Sequence, residues 1–219
     1  PGDPSVLYAS VGASYLEGGY LLGLYSTSDG GLNWYLTNAP DYCNPQCWYD
    51  NAVRVDPVNP QVIWAGGSFA EVDGSFYVGE LLQSLDGGNT WQDISQGANG
   101  ADLHPDVHAV AFSADGSRVY VGNDGGVWST SNVEANLVSW NNLNTSLAIT
   151  QFYSGISIDP NASGLAFSGT QDNGTQQYSS NVAWQNPGPC GDGSWTAIDP
   201  STFPAVSYTH LRAHETGRN

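Results

Sequence analysis

Apolar and polar residues alternate with a period of two in short runs along this chain, the mark of half-buried β-strands. Ala52–Asp56 (AVRVD), His108–Ser113 (HAVAFS) and Gly155–Asp159 (GISID) alternate in this way, and Thr196–Asp199 (TAID) opens a fourth such run. Between and before them lie runs of a second kind: VLYAS from Val6, VIWAGG from Val62, RVYVGN from Arg118 and LAFSGT from Leu165. Anchored on Leu7, Ile63, Val119 and Ala166, these recur at spacings of 56, 56 and 47 residues. Two more strand-like runs follow each anchor, as in LLQSLDGG and TWQDIS. Each unit therefore predicts a four-stranded meander, strands A to D.

Units of roughly 40–57 residues with four strands are the blades of a β-propeller. A sandwich does not repeat its strand signatures, and solenoid units are shorter or helical. The expected fold is thus all-β: a partial propeller of four-stranded antiparallel blades over residues 1–205. The blades are expected at about 5–39, 52–97, 108–144, 154–186 and 194–205, three whole and two broken, with the rest of the ring beyond both ends.

Two segments share a sharper pattern, TSDGGLNW (Thr27 to Trp34) and SLDGGNTW (Ser84 to Trp91), which lie 57 residues apart. Both fall on a C–D hairpin. There Gly31 and Gly88 can take the positive φ of a tight turn, and Asp29 and Asp86 can accept backbone N–H bonds. Trp34 and Trp91 then return along strand D to pack between blades. The stretch ending in Trp140 reads as a decayed third copy.

This pattern resembles the Asp-box or BNR repeat of sialidases, xyloglucanase-type glycoside hydrolases and sortilin-like receptors. QCWYDNAVRVDPVNPQVIWAGG, HPDVHAVAF, VYVGNDGGVW, ITQFYSGISIDP, GTQDNGT and GDGSW are similar to secreted bacterial propellers of the "glycosyl hydrolase, BNR repeat" type. The resemblance implies a carbohydrate-active propeller, with a non-catalytic adhesion or sortilin-like peptide-binding propeller as the alternative. It implies a scaffold and not a reaction. Sialidase activity is not expected, because the arginine cluster that grips a carboxylate has no counterpart beyond Arg54 and Arg118.

The loops sort by face. A–B and C–D turns share one side of a blade, and their Asp-rich sequences are explained by turn chemistry. B–C and D–A loops share the other, around a central funnel. This places Tyr49, Asp50, His104, Asp106, His108, Asp124, Tyr153, Asp172, Asp192 and Trp195 at one mouth, where carboxyls, imidazoles and aromatics suit a polar ligand. Asp50, Asp106, Asp172 and Asp192 are the candidate catalytic acids of a glycosidase pair. Tyr49, His104, His108, Asp124, Tyr153 and Trp195 are candidate ligand contacts, with Trp48, Phe69 and Tyr77 as further stacking aromatics. In HPDVH, His104, Asp106 and His108 fall at alternate positions, so a strand would aim all three one way, toward a metal or a hydrogen-bonded rim. GDG before Trp195 could hold a structural Ca²⁺ through carboxylate and backbone oxygens. No cofactor is required by the reading.

Composition narrows the partners. The chain has 219 residues and a formal charge of −17. That charge argues against nucleic acid, suits attraction of cations, and equally fits adaptation to high salt. No apolar run reaches a membrane span. Cys43 and Cys47 stand close enough for a loop-closing disulfide, with a zinc half-site as the rival, and Cys190 is left over. The disulfide would favour a secreted or cell-surface location. The last stretch, 206–219, resembles one reading frame of a sequencing adapter, and its His210 and His214 are set aside with it.

Overall fold

A computed structural model describes residues 3–199, except 69, 73, 74, 79, 163 and 188–190, together with 205–208. Phe69, Cys190, His210 and His214 lie outside the described residues, as does the side chain of Tyr77. The chain divides into two compact units, residues 1–147 and 148–219.

The first unit holds three consecutive antiparallel sheets. The first joins β1 (Leu7–Gly12), β2 (Leu21–Thr27) and β3 (Tyr35–Leu36). In the second, β4 (Asn51–Val55) pairs with β5 (Ile63–Gly67). The B–C connection of that sheet carries its own hairpin of β6 (Ala70–Val72) and β7 (Ser75–Val78), which the sequence pattern does not predict. Strands β8 (Leu81–Ser84) and β9 (Gln92–Asp93) complete the second sheet in the order β4-β5-β8-β9. The third runs β10 (Val107–Phe112), β11 (Val119–Asn123), β12 (Gly126–Thr130) and β13 (Asn141–Asn142). Each is an up-and-down meander, and the inner strands β1, β4 and β10 stand side by side.

The second unit repeats the plan with β14 (Ser157–Ile158), β15 (Leu165–Gly169) and β16 (Thr175–Ser179). A single bridge from Gln177 to Gln185 stands where a fourth strand would run. The next sheet pairs β17 (Thr196–Asp199) with β18 (Ala205–Tyr208), Ile198 opposite Val206. The first residues of the segment set apart as a tail thus continue a sheet. The chain is all-β, a partial β-propeller built from four-stranded antiparallel blades.

The repeat places the same kind of residue at the same depth. β5 is buried along its whole length, because both faces of a middle strand are covered by neighbouring sheets. Trp64 turns one way into a core with Leu81, Val107, Val110, Val119, Val121 and Trp140. Its neighbour Ala65 turns the other way, to Tyr42, Cys43, Cys47 and Leu82. Each fully buried side chain of this size contributes about 1.5–3 kcal/mol, so these two seams hold the three sheets together.

The turns around Asp29 and Asp86 are local devices. Asp29 Oδ1 accepts from Thr27 Oγ1 at 2.7 Å and Asn33 N at 3.0 Å, and Trp34 Nε1 donates to Gly31 O at 3.1 Å. Asp86 repeats this with Ser84 Oγ at 2.9 Å, Thr90 N at 2.8 Å and Thr90 Oγ1 at 2.6 Å. Hydrogen bonds from the neighbouring Asn33 and Thr90 hold both carboxyls below the usual range. In the third sheet Asn132 takes the Asp position, accepting from Thr130 Oγ1 at 2.5 Å and Ser139 N at 3.1 Å. Trp91 packs against the Tyr42–Leu82 seam as expected, and Trp140 is buried beside Trp64. Trp34 does not pack between blades. It is 42% exposed, its Nε1 held within its own turn by Gly31 O.

The A–B and C–D turns share a side, as Gly87 N donates to Gln61 O at 3.0 Å. On the opposite side, Asn123 Nδ2 at the B–C loop donates to His104 O in the D–A loop at 2.8 Å. That opposite side carries the chemistry.

Candidate functional site

In the first unit the site is assembled from three loops. The Leu36-to-Asn51 connection is pinned by a disulfide between Cys43 and Cys47, whose Cα atoms are 4.6 Å apart. Asp41 organises the same loop, accepting from Leu21 N, Cys43 N and Asn44 N at 3.1–3.3 Å. At Gly19, with φ +64°, a Cβ would meet Pro45 O at 1.8 Å, so only glycine lets this loop lie so close. A tight turn then follows, Tyr49 N and Asp50 N both donating to Gln46 O, which presents Trp48, Tyr49 and Asp50 in succession.

Asp50 is fully buried. His108 Nδ1 lies 2.9 Å from its Oδ1, and His108 Nε2 lies 2.7 Å from Asp124 Oδ1. One imidazole therefore bridges two carboxyl groups from different loops. Gln46 Nε2 donates to Asp106 Oδ1 at 3.2 Å, and Asp106 stands within hydrogen-bonding reach of Asp50. Neither oxygen of Asp50 receives an aligned hydrogen bond among the described residues, the His108 approach notwithstanding. Burial, then the Asp106 carboxylate beside it, pushes the Asp50 carboxyl up to about 7 against the opposing pull of His108.

The expectation that His104, Asp106 and His108 share one direction does not hold. β10 begins only at Val107, and Asp106 sits in left-handed backbone with φ 63°. That residue breaks the alternation. Asp106 and His108 reach the Asp50 group, whereas the His104 ring contacts Pro105 O at 3.1 Å and packs on Gly125. A Cβ at Gly125 would fall 2.4 Å from His104 Cβ. A non-glycine residue held at φ > 0 costs roughly 1–3 kcal/mol, though Asp tolerates it better than most, and such strain concentrates at functional loops.

Beside the carboxyls runs a strip of aromatic rings. Tyr49 meets His108 edge-on at 5.0 Å, Trp48 meets Tyr49 at 5.6 Å, and Tyr15 meets Trp48 at 5.6 Å. Tyr15 is 62%, Trp48 49% and Tyr49 58% exposed, so a row of ring surface faces solvent next to a polar cluster. The sequence pattern singles out neither Tyr15 nor Gln46. Gln46 lies inside the CNPQC loop, which is a usable signal; Tyr15 has none.

In the second unit Tyr153, Gln171, Asp172 and Asp192 form a hydrogen-bonded group. Asp192 Oδ1 accepts from Asp172 N at 3.1 Å, and the single hydroxyl proton of Tyr153 is shared between Asp192 Oδ1 at 3.0 Å and Gln171 Oε1. Burial and the Asp192 carboxylate push the Tyr153 hydroxyl up to about 12. Asp172, like Asp106, is left-handed, with φ 58°. The GTQDNG and GDG loops are tied together by Gly174 N to Gly191 O at 2.7 Å and Gly193 N to Thr170 O at 2.8 Å. Trp195 is largely exposed and lies over Gly155. Within the first unit the structure thus brings Tyr49, Asp50, Asp106, His108 and Asp124 together, and within the second Tyr153, Asp172 and Asp192.

Among the described residues, the side chains that draw three potential metal ligands together are Asp41, Cys43 and Cys47, and the two sulfurs are tied in the disulfide. No helix among the described residues is long and apolar enough to cross a membrane.

No protein-family model matches the chain, and no curated protein matches it. Solved structures similar to it include a Niastella koreensis GH74 enzyme, 20% identical with a TM-score of 0.49, covering 92% of this chain and 33% of that one. The GH74 xyloglucanase from Xanthomonas campestris is 16% identical with a TM-score of 0.49, covering 92% and 32%. An ancestral GH74 enzyme is 18% identical with a TM-score of 0.43, covering 92% and 27%. The chain spans about a quarter to a third of the length of these proteins.

Proposed function

We propose that this chain is part of a secreted, carbohydrate-active propeller, and that its first unit carries a glycan site with acid–base groups for hydrolysis. One observation carries the reading: His108 bridges buried Asp50 and half-exposed Asp124 directly beside an exposed row of Tyr49, Trp48 and Tyr15. Apolar ring faces next to paired carboxyls are what a sugar ring and a glycosidic oxygen require. Asp124 and Asp106 are the groups that can meet a substrate. Asp50 is buried, so it acts on them through His108 and is a positioning residue rather than a catalytic acid. The Cys43–Cys47 disulfide supports the extracytoplasmic location.

The test is a broad oligosaccharide panel against the protein with its flanking blades. Turnover that falls over about 100-fold in Asp124→Asn or Asp106→Asn supports the reading. Turnover that survives every single substitution moves the chemistry elsewhere. Binding without turnover makes the propeller a non-catalytic adhesion module of sortilin-like type, and neither binding nor turnover leaves a structural domain.

A further inference from the structure

We propose that the site around His108 selects glycans bearing a free amine, with a protonated amino group beside Asp124 and the sugar ring face on Tyr49 and Trp48. This rests on the glycan reading above and names its substrate class.

Charge at the site favours a cation. Asp50, Asp106 and Asp124 surround a single imidazole. Three carboxyl groups thus stand against one basic side chain. The chain has no Lys. Of its described Arg residues, Arg54 donates Nε to Val110 O at 3.1 Å, and Arg118 lies on the opposite side, in the A–B turn after β10. A cation from outside is the natural complement, and an anionic sugar is repelled.

The buried carboxyl points the same way. The Asp50 carboxyl is fully buried behind His108, whose Nδ1 stands 2.9 Å from its Oδ1 without an aligned hydrogen bond. A positive charge placed on the Asp124 side of the imidazole lowers the cost of ionising that group.

The shape of the site suits a sugar. Tyr49 and Asp124 are both direct neighbours of His108, on its face-edge and at its Nε2, so one monosaccharide unit can touch both. The row continuing through Trp48 to Tyr15 gives successive sugars further ring surface. Aromatic faces also attract cations, by about 0.5–1 kcal/mol at exposed sites. A bare metal ion fits less well. No three side-chain ligand atoms converge here among the described residues, and a metal has no use for the aromatic row.

Calorimetric titration separates the possibilities. The probes are a glucosamine hexamer, its fully N-acetylated counterpart and a glucose hexamer of the same linkage, at a pH where the amines are protonated. The glucosamine hexamer is expected to bind about tenfold or more tighter than the other two, with an advantage that shrinks as salt is raised. Asp124→Asn should abolish that advantage, Trp48→Ala should weaken all the hexamers together, and Asp115→Asn, on the opposite side, should change nothing. Equal binding of the three hexamers overturns the amine preference and leaves the glycan reading standing. An advantage that persists in Asp124→Asn and Trp48→Ala shows polycation adhesion elsewhere and overturns the placement. Absence of any hexamer binding overturns the glycan reading as well.

Discussion

The imidazole of His108 stands 2.9 Å from the fully buried carboxyl of Asp50, and its other nitrogen stands 2.7 Å from Asp124. The pairing links a D–A loop to a B–C loop through strand β10 and couples the stability of the first unit to its protonation state.

The Asp50 carboxyl rises from 3.8 to about 7 in the folded chain. Between those values the folded state holds a proton that the unfolded state has released, so stability falls as pH rises through that window. A tenfold change in proton affinity on folding is equivalent to about 1.4 kcal/mol, and the neighbouring charges share that effect with Asp50. Asp50→Asn cannot ionise. Thermal unfolding followed from about pH 4 to pH 8 should show a decline in Tm for the parent that is smaller in the variant, by several degrees. Equal slopes would remove Asp50 as the titrating group.

Asp86 works in the opposite sense and for a local reason. Its carboxyl is held low by Thr90 and Ser84, so it stabilises the turn above the ordinary Asp value and loses that contribution as pH falls through the lowered one. Asp86→Ala strands Thr90 N and Ser84 Oγ and should cost about 1–2 kcal/mol in chemical denaturation. Ligand binding should be unchanged, since the Asp86 turn lies on the far side from Asp124. A binding defect without a stability defect would refute that division of labour.

Trp64 and Trp140 meet edge to face at 5.8 Å in the seam between the second and third sheets, both buried. Trp64→Ala opens a cavity there and should cost about 3–5 kcal/mol. Hydrogen exchange should report it as loss of protection in β5, β10 and β11 together. Loss confined to β5 would mean that the sheets unfold independently.

The disulfide closes a short loop, for which chain entropy gives about 2 kcal/mol. Replacing Cys43 and Cys47 with Ser should lower Tm by a few degrees. It should also free the turn that carries Trp48 and Tyr49, seen as a shift in tryptophan fluorescence. Unaltered glycan affinity in that variant would show that the aromatic row is held by other contacts, such as the Gly19 backbone.

How much of this is legible in the sequence differs by element. Alternation predicts TAID as a strand over the residues that form β17, and the predicted A and B strands of the second and third sheets fall within a residue or so of β4, β5, β10 and β11. The DGG segments at Asp29 and Asp86 close the turns their spacing implies. A period of two and a C–D hairpin are local properties, written into neighbouring residues. The β6–β7 hairpin escapes because its segment reads as one long loop.

The candidate site is legible only as a set of residue types on one side of the blades. Alternation places His104 with His108, and one left-handed residue, Asp106, separates them, since a single φ of 63° reverses the chain before β10 starts. Asp50 reads as a candidate catalytic acid at the funnel mouth and is a fully buried one, a depth that no local pattern encodes. The sequence by itself determined the strands, the turns and the repeat, which follow from contacts a few residues apart. The tertiary structure decided which carboxyls share an imidazole and which are buried. Those pairings join positions 58 and 16 residues apart along the chain, and only the stacking of sheets sets their distances.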